Sequence, residues 1–254
     1  MTILDEEIAS AVESSVGSND SRIEKDTLFI FGGASLVLFG AGMILSTPLA
    51  RRLLGQFETG KLIPLKKDID QLYELLGNGI DGYHFDFYVL SAAPVEIVQS
   101  ALEGIVPRDH IFGTEFKYDA TGRIERIDRA TAGYGKVARL EQLQGELQIG
   151  PDHIIYAGDG SSDMHAMLHV NGCDGLTIAV SQSRKVTAVA QRTVMSNNAL
   201  AMLVPILEKV VGWSQAQIRD FFERNGFLVQ EWEKVRTDWL TLSPAVGLSN
   251  RVGA

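Results

Sequence analysis

The chain has 254 residues, 45% hydrophobic and 22% charged, with 25 Gly, 7 Pro and one Cys. These proportions belong to a folded protein and exclude a collagen-like, disordered or disulfide-framed chain. The net charge of −9 argues against a nucleic-acid partner, and the lone Cys173 cannot close an internal disulfide.

Residues 1–26 are polar and acidic and read as a tail. From Thr27 to Ala50 no charged residue occurs in 24 positions. An apolar helix of about 20 residues matches a hydrocarbon layer about 30 Å thick, so 27–50 is expected to be a single transmembrane helix. The alternative is a buried strand at LFIF, a turn at GGAS and a buried helix after it. Arg22 and Lys25 precede the run, whereas Arg51, Arg52, Lys61, Lys66 and Lys67 follow it. The positive-inside rule then expects a single-pass protein of the inner, or cytoplasmic, membrane, its N-terminus outside and its C-terminal bulk in the cytoplasm. Residues 51–66 become a juxtamembrane segment.

Residues 67–212 alternate between helical and strand patterns. Asp68 to Leu76 has helical spacing, HFDFYVL (84–90) reads as a strand ending at Ser91, and Pro94 opens a helix over 95–102. The stretch from His110 to Asp128 reads as a hairpin turning at DATG. Helix 135–147, strand HIIYAG (153–158), helix MHAMLHV and strand LTIAV (176–180) follow. Such alternation predicts an α/β fold with a parallel sheet and helices on both faces. Ligands bind such sheets beyond the C-terminal strand ends. Residues 213–254 read as C-terminal helices and a tail, with Ser214 and Gly226 bounding one helix and Phe227, Trp232, Val235 and Trp239 near helical spacing in the next.

Several chemically able residues fall at those strand ends. Ser91 offers a hydroxyl for an anion. Asp159 and Asp163 in GDGSSD offer oxygens to a divalent cation, and Lys136 in AGYGK offers charge to a phosphate. Taken singly they read as caps, turn residues or a solvated lysine. His165 and His169, four apart on one helix, have zinc spacing without a third ligand.

YVLSAAP, AGYGK and IIYAGDGSSDMHAML together resemble motifs II, III and IV of the haloacid dehalogenase (HAD) superfamily, particularly its phosphoserine-phosphatase-like branch. The resemblance implies a Rossmann-like domain, Mg²⁺ and phosphoryl transfer to an aspartate. By position Ser91 would hold the phosphoryl group, Lys136 would neutralise it, and Asp159 with Asp163 would help hold Mg²⁺. The family's first motif, an apolar strand ending in Asp-x-Asp, has no counterpart: LFIF is followed by Gly32, Gly33 and Ala34. Asp68 and Asp70 have the spacing but follow PLKK, and stand as the remaining nucleophile candidates. The span and the missing acids together suggest a non-catalytic accessory or scaffold subunit, with protein partners in a membrane assembly. The alternative is a Mg²⁺-dependent phosphohydrolase acting on a small phosphorylated substrate. A third reading is a soluble domain that keeps phosphate or Mg²⁺ as an effector.

Overall fold

The computed structural model describes residues 25–31, 66–181, 183–234 and 238–244, with side chains for 66–181 and 183–229. A seven-stranded sheet in the order β4-β3-β2-β1-β5-β6-β7 organises them. Its strands are β1 (Lys25–Phe31), β2 (Tyr83–Pro94), β3 (Ile111–Tyr118), β4 (Ile124–Arg129), β5 (Ile154–Gly158), β6 (Leu176–Ala179) and β7 (Arg192–Thr193). All neighbours pair in parallel except β3 and β4, which form the expected hairpin. Helices α1 (Ile69–Asn78), α2 (Val95–Ala101), α3 (Tyr134–Leu147), α4 (Met164–Gly172) and α5 (Arg184–Thr187) connect and cover the strands. Helices α6 (Leu203–Ile206) and α7 (Gln215–Arg224) follow.

Period-two alternation divides the apolar residues between two cores. Phe85, Phe87 and Val89 of β2 and Ile155 of β5 face a core shared with α1 and α7. Tyr88, Leu90, Ile154 and Tyr156 face the opposite one, built with α3 and α4. Strands buried on both faces are nearly continuous in apolar residues, as HIIYAG is.

The same physics corrects the reading of 27–50. Thr27–Phe31 lie in β1, the central strand, paired on one side with β2 and on the other with β5. They do not begin a transmembrane helix, and Lys25 and Asp26 belong to the sheet rather than to a tail. Residues 32–50 of the expected span, and 51–65 of the juxtamembrane segment, lie outside the described residues. Among the described residues no helix is long and apolar enough to cross a membrane. The α/β unit therefore draws its middle strand from upstream of the expected 67–212 boundary.

The C-terminal region splits in two. Helix α7 is capped as expected: the Ser214 amide donates to Gln217 Oε1 at 2.9 Å, and Gly226 beyond its end has φ 78°. The helix expected after it is instead an antiparallel pair, β8 (Phe227–Lys234) and β9 (Asp238–Pro244). Phe, Val, Trp and Thr favour extended backbone, and the helical spacing of a few aromatics does not outweigh that preference.

Candidate active site

Sheet register places the candidate residues at one level. Phe31, the last residue of β1, pairs with Val89 and with Ala157. Ser91 stands two residues beyond the first partner and Asp159 two beyond the second. All three chains thus reach the same edge, the C-terminal one.

At Ser91 strand β2 does not stop but runs on to Pro94, with a register shift against β3 between Leu90 and Pro94. Ser91 is fully buried, and its Oγ accepts the Ala93 amide at 3.1 Å. That leaves the hydroxyl proton available for an acceptor. Thr114 steadies this loop by donating to the Ala92 carbonyl at 2.8 Å. Thr114 Oγ1 also accepts the Thr131 amide at 3.3 Å, which ties the loop to the approach of AGYGK.

Lys136 enters from the first turn of α3. It is 1% exposed, and its Nζ lies 2.5 Å from Asp163 Oδ1. A Cβ at Gly135 would sit 2.0 Å from the Ala130 carbonyl, so only glycine lets the chain turn here. Gly133 N–H donates to the Ser162 carbonyl at 3.2 Å, docking this loop on GDGSSD.

Asp163 is completely buried and fully engaged. Its Oδ1 accepts Lys136 Nζ and, at 2.7 Å, the Tyr156 hydroxyl from β5. Its Oδ2 accepts the amides of Asp159 and Gly160 at 3.2 and 3.0 Å. Burial, and then the Asp163 charge, hold the Tyr156 hydroxyl well above its ordinary pKa, so it stays a donor. Gly158 makes the arrangement possible: a Cβ there would meet Asp163 Cβ at 2.7 Å and Cγ at 2.8 Å. Gly158→Ala should push Asp163 off its donors and cost about 2 kcal/mol, the usual scale of overpacking. Urea denaturation checks it; an unchanged midpoint would show that the carboxylate can move aside freely.

Asp159 differs from its neighbour. Its Oδ1 is buried and has no hydrogen-bond partner among the described residues. Burial, then the adjacent Asp163 charge, raise its carboxyl from 3.8 to about 6, with Lys136, a backbone amide and Lys66 opposing. Among the described residues no three His, Cys, Asp or Glu side chains converge as a metal cluster. Mg²⁺, however, is commonly held by one or two carboxylates with phosphate and water. The orphaned Asp159 oxygen fits that role, and Asp163, with both oxygens taken, does not offer a free one.

The other candidates lie apart from a strand end. Asp68, at φ 56°, precedes α1, and its Oδ2 accepts Asn198 Nδ2 at 2.7 Å. Asp70 is exposed in the first turn of α1. His165 lies against the exposed ring of Tyr134, centroids 4.3 Å apart. Sequence reasoning missed Tyr156, Thr114 and Lys66, whose partners are distant or sit inside apolar runs.

Residues 70–168 match the family model described as haloacid dehalogenase-like hydrolase. Over that stretch the chain is similar to the HAD family. The matched stretch contains Ser91, Lys136, Asp159 and Asp163 and begins after β1. Solved structures agree on the fold. The chain is similar in fold to a phosphoserine phosphohydrolase-like protein from Francisella tularensis subsp. tularensis SCHU S4, at 18% identity and TM-score 0.50. That match covers 71% of this chain and 99% of the other. It is also similar to a probable phosphoserine phosphatase from Vibrio cholerae, at 18% identity and TM-score 0.52, covering 73% and 65%. A third likeness is to a phospho-aspartyl intermediate analogue of phosphoserine phosphatase, at 14% identity and TM-score 0.51, covering 70% and 98%. None of the curated proteins matches the sequence.

Proposed function

We propose that this HAD-like domain is a Mg²⁺-dependent phosphohydrolase acting on a small phosphorylated substrate. The observation that carries the reading is the convergence, past β2 and β5, of the buried Ser91 hydroxyl, the Lys136–Asp163 pair and the unpartnered Asp159 oxygen. The family model and the phosphatases among the similar structures support hydrolysis over a purely structural role.

Each residue has a part derived from its surroundings. Ser91 donates its hydroxyl to a phosphoryl oxygen. Lys136 lends positive charge to the bound phosphate, and Asp163 holds that ammonium in place against rotation. Asp159 would hold Mg²⁺, which supplies positive charge to the phosphoryl oxygens. Tyr156 keeps Asp163 fixed by donating to the oxygen that also receives Lys136.

The sequence after β1 reads Gly32-Gly33-Ala34, with no carboxylate to accept a phosphoryl group. The reading therefore requires transfer to water: the water oxygen bonds to phosphorus as the ester P–O bond breaks, and the departing alkoxide takes up the proton the water gives up and leaves as the alcohol. The same glycines favour a second reading, in which the domain binds phosphate without turning it over. One experiment separates them. Phosphate release from a panel of small phosphomonoesters by the full chain, with and without Mg²⁺, should show turnover that chelation abolishes. Ser91→Ala should lower kcat/KM about a hundredfold or more, the scale of one lost transition-state donor. Phosphate binding with no turnover in any condition would leave the second reading standing.

A further inference from the structure

Lys66 belongs to none of the motifs that carry the HAD resemblance, yet the fold brings it to the same edge of the sheet. Its Nζ donates to the Ser196 carbonyl at 2.7 Å, and its side chain is half-buried. The backbone beside it is clamped. Lys67 N–H donates to the Asn197 carbonyl at 3.0 Å, and the Lys67 carbonyl accepts the Ala199 amide at 2.8 Å. Asn198 then reaches back to Asp68 at 2.7 Å. Ser196 follows β7, where the Val194 amide donates to the Ala179 carbonyl at the end of β6. Lys66 is therefore anchored past the C-terminal ends of the parallel strands, on the side where Asp159 lies past β5.

A carbonyl cap alone is a weak reason to half-bury an ammonium, since one neutral acceptor uses one of its three donors. Burial lowers the Lys66 pKa, and the charge that opposes this shift is that of Asp159. Lys66 and Lys136 balance Asp159 and Asp163, so the corner is neutral with both lysines present. A phosphate dianion entering with one divalent cation leaves it neutral again. Without Lys66 the corner carries a net negative charge and repels phosphate.

Resting on the hydrolase reading, we propose that Lys66 is a second phosphate-binding cation of the site, anchored by Ser196 and holding Asp159 in its working position. The ligand it fits is a phosphate dianion or phosphomonoester bound together with Mg²⁺. Calorimetric titration of the full chain with inorganic phosphate, Mg²⁺ present, tests it. Lys66→Met should weaken binding about tenfold, the scale of one lost charge-assisted hydrogen bond. Lys66→Arg should restore most of that affinity, because the charge is kept. Thermal midpoints of all three proteins should agree closely. Wild-type binding that Lys66→Met leaves unchanged overturns this inference and spares the hydrolase reading. Equal losses in the Met and Arg variants, with lowered midpoints, assign Lys66 to the fold alone and also overturn it. Absence of phosphate binding in the wild type overturns this inference and leaves the hydrolase reading to the turnover assay.

Discussion

Lys136→Met should destabilise the fold by about 3–5 kcal/mol, the cost of stripping one partner from a buried ion pair. The pair is nearly sealed from water, at 1% and 0% side-chain exposure. Without the ammonium, Asp163 keeps Tyr156 and two backbone amides, which places the loss toward the lower end. For a domain of this size that is a fall of roughly 6–12 °C in thermal midpoint. Calorimetry of the single variants and of Lys136→Met combined with Asp163→Asn checks the mechanism. The double variant should lose less than the sum of the singles, because the second substitution removes the charge that the first left uncompensated. Strict additivity would mean that the two side chains do not share their energy.

Asp159→Asn should move stability and activity in opposite directions. The folded protein holds a proton on Asp159 up to about pH 6, whereas the ordinary pKa of a free aspartate carboxyl is 3.8. Between those values the unfolded state binds fewer protons, so this group's contribution to stability falls as pH rises. The contribution is full below about pH 4 and lost above about pH 6. The gap of about 2 units corresponds to a penalty on the order of 2–3 kcal/mol at pH 8. Asparagine fits the same place without the charge. Measured without Mg²⁺, its thermal midpoint should exceed that of the wild type at pH 8 and coincide with it below pH 4. Turnover should fall by about two orders of magnitude, since the metal-holding oxygen is gone. A residue kept at a cost to stability is one kept for a site. A variant less stable at pH 8 would show that Asp159 contributes to the fold instead.

The sequence made much of this legible, and its failures have physical causes. YVL before Ser91 and HIIYAG before Asp159 read as strands because they are apolar, short and bounded by Gly or small residues. Gly158 and Gly135 stand in the motifs IIYAGDGSSD and AGYGK, and the structure adds the close approaches that a Cβ at either would make. Strand β1 was read first as the start of a membrane helix and only in the alternative as a strand at LFIF, which is what the structure has there. A strand buried on both faces is apolar at each position, as a membrane helix is, and only run length argues between them. Here Thr27–Phe31 of β1 open a longer apolar run, which hid the strand's end. Lys66 gave no signal because its anchor, Ser196, is 130 residues away. Its neighbours in sequence are basic, which suggested a membrane flank rather than an anion site. Tyr156 was concealed for the opposite reason: within an apolar strand a tyrosine reads as core until its hydroxyl is seen to meet Asp163.

Hydrolysis of phosphomonoesters at this corner of the sheet is proposed to depend on Asp159 and Mg²⁺. The most direct measurement is kcat/KM of the purified full chain on the best substrate of the phosphomonoester panel, for the wild type and Asp159→Asn, with Mg²⁺ and after its chelation. Turnover in the wild type should depend on Mg²⁺, disappear on chelation and fall about a hundredfold in the variant. Phosphate release that persists unchanged in Asp159→Asn, or a wild type that releases none with Mg²⁺ present, would contradict it.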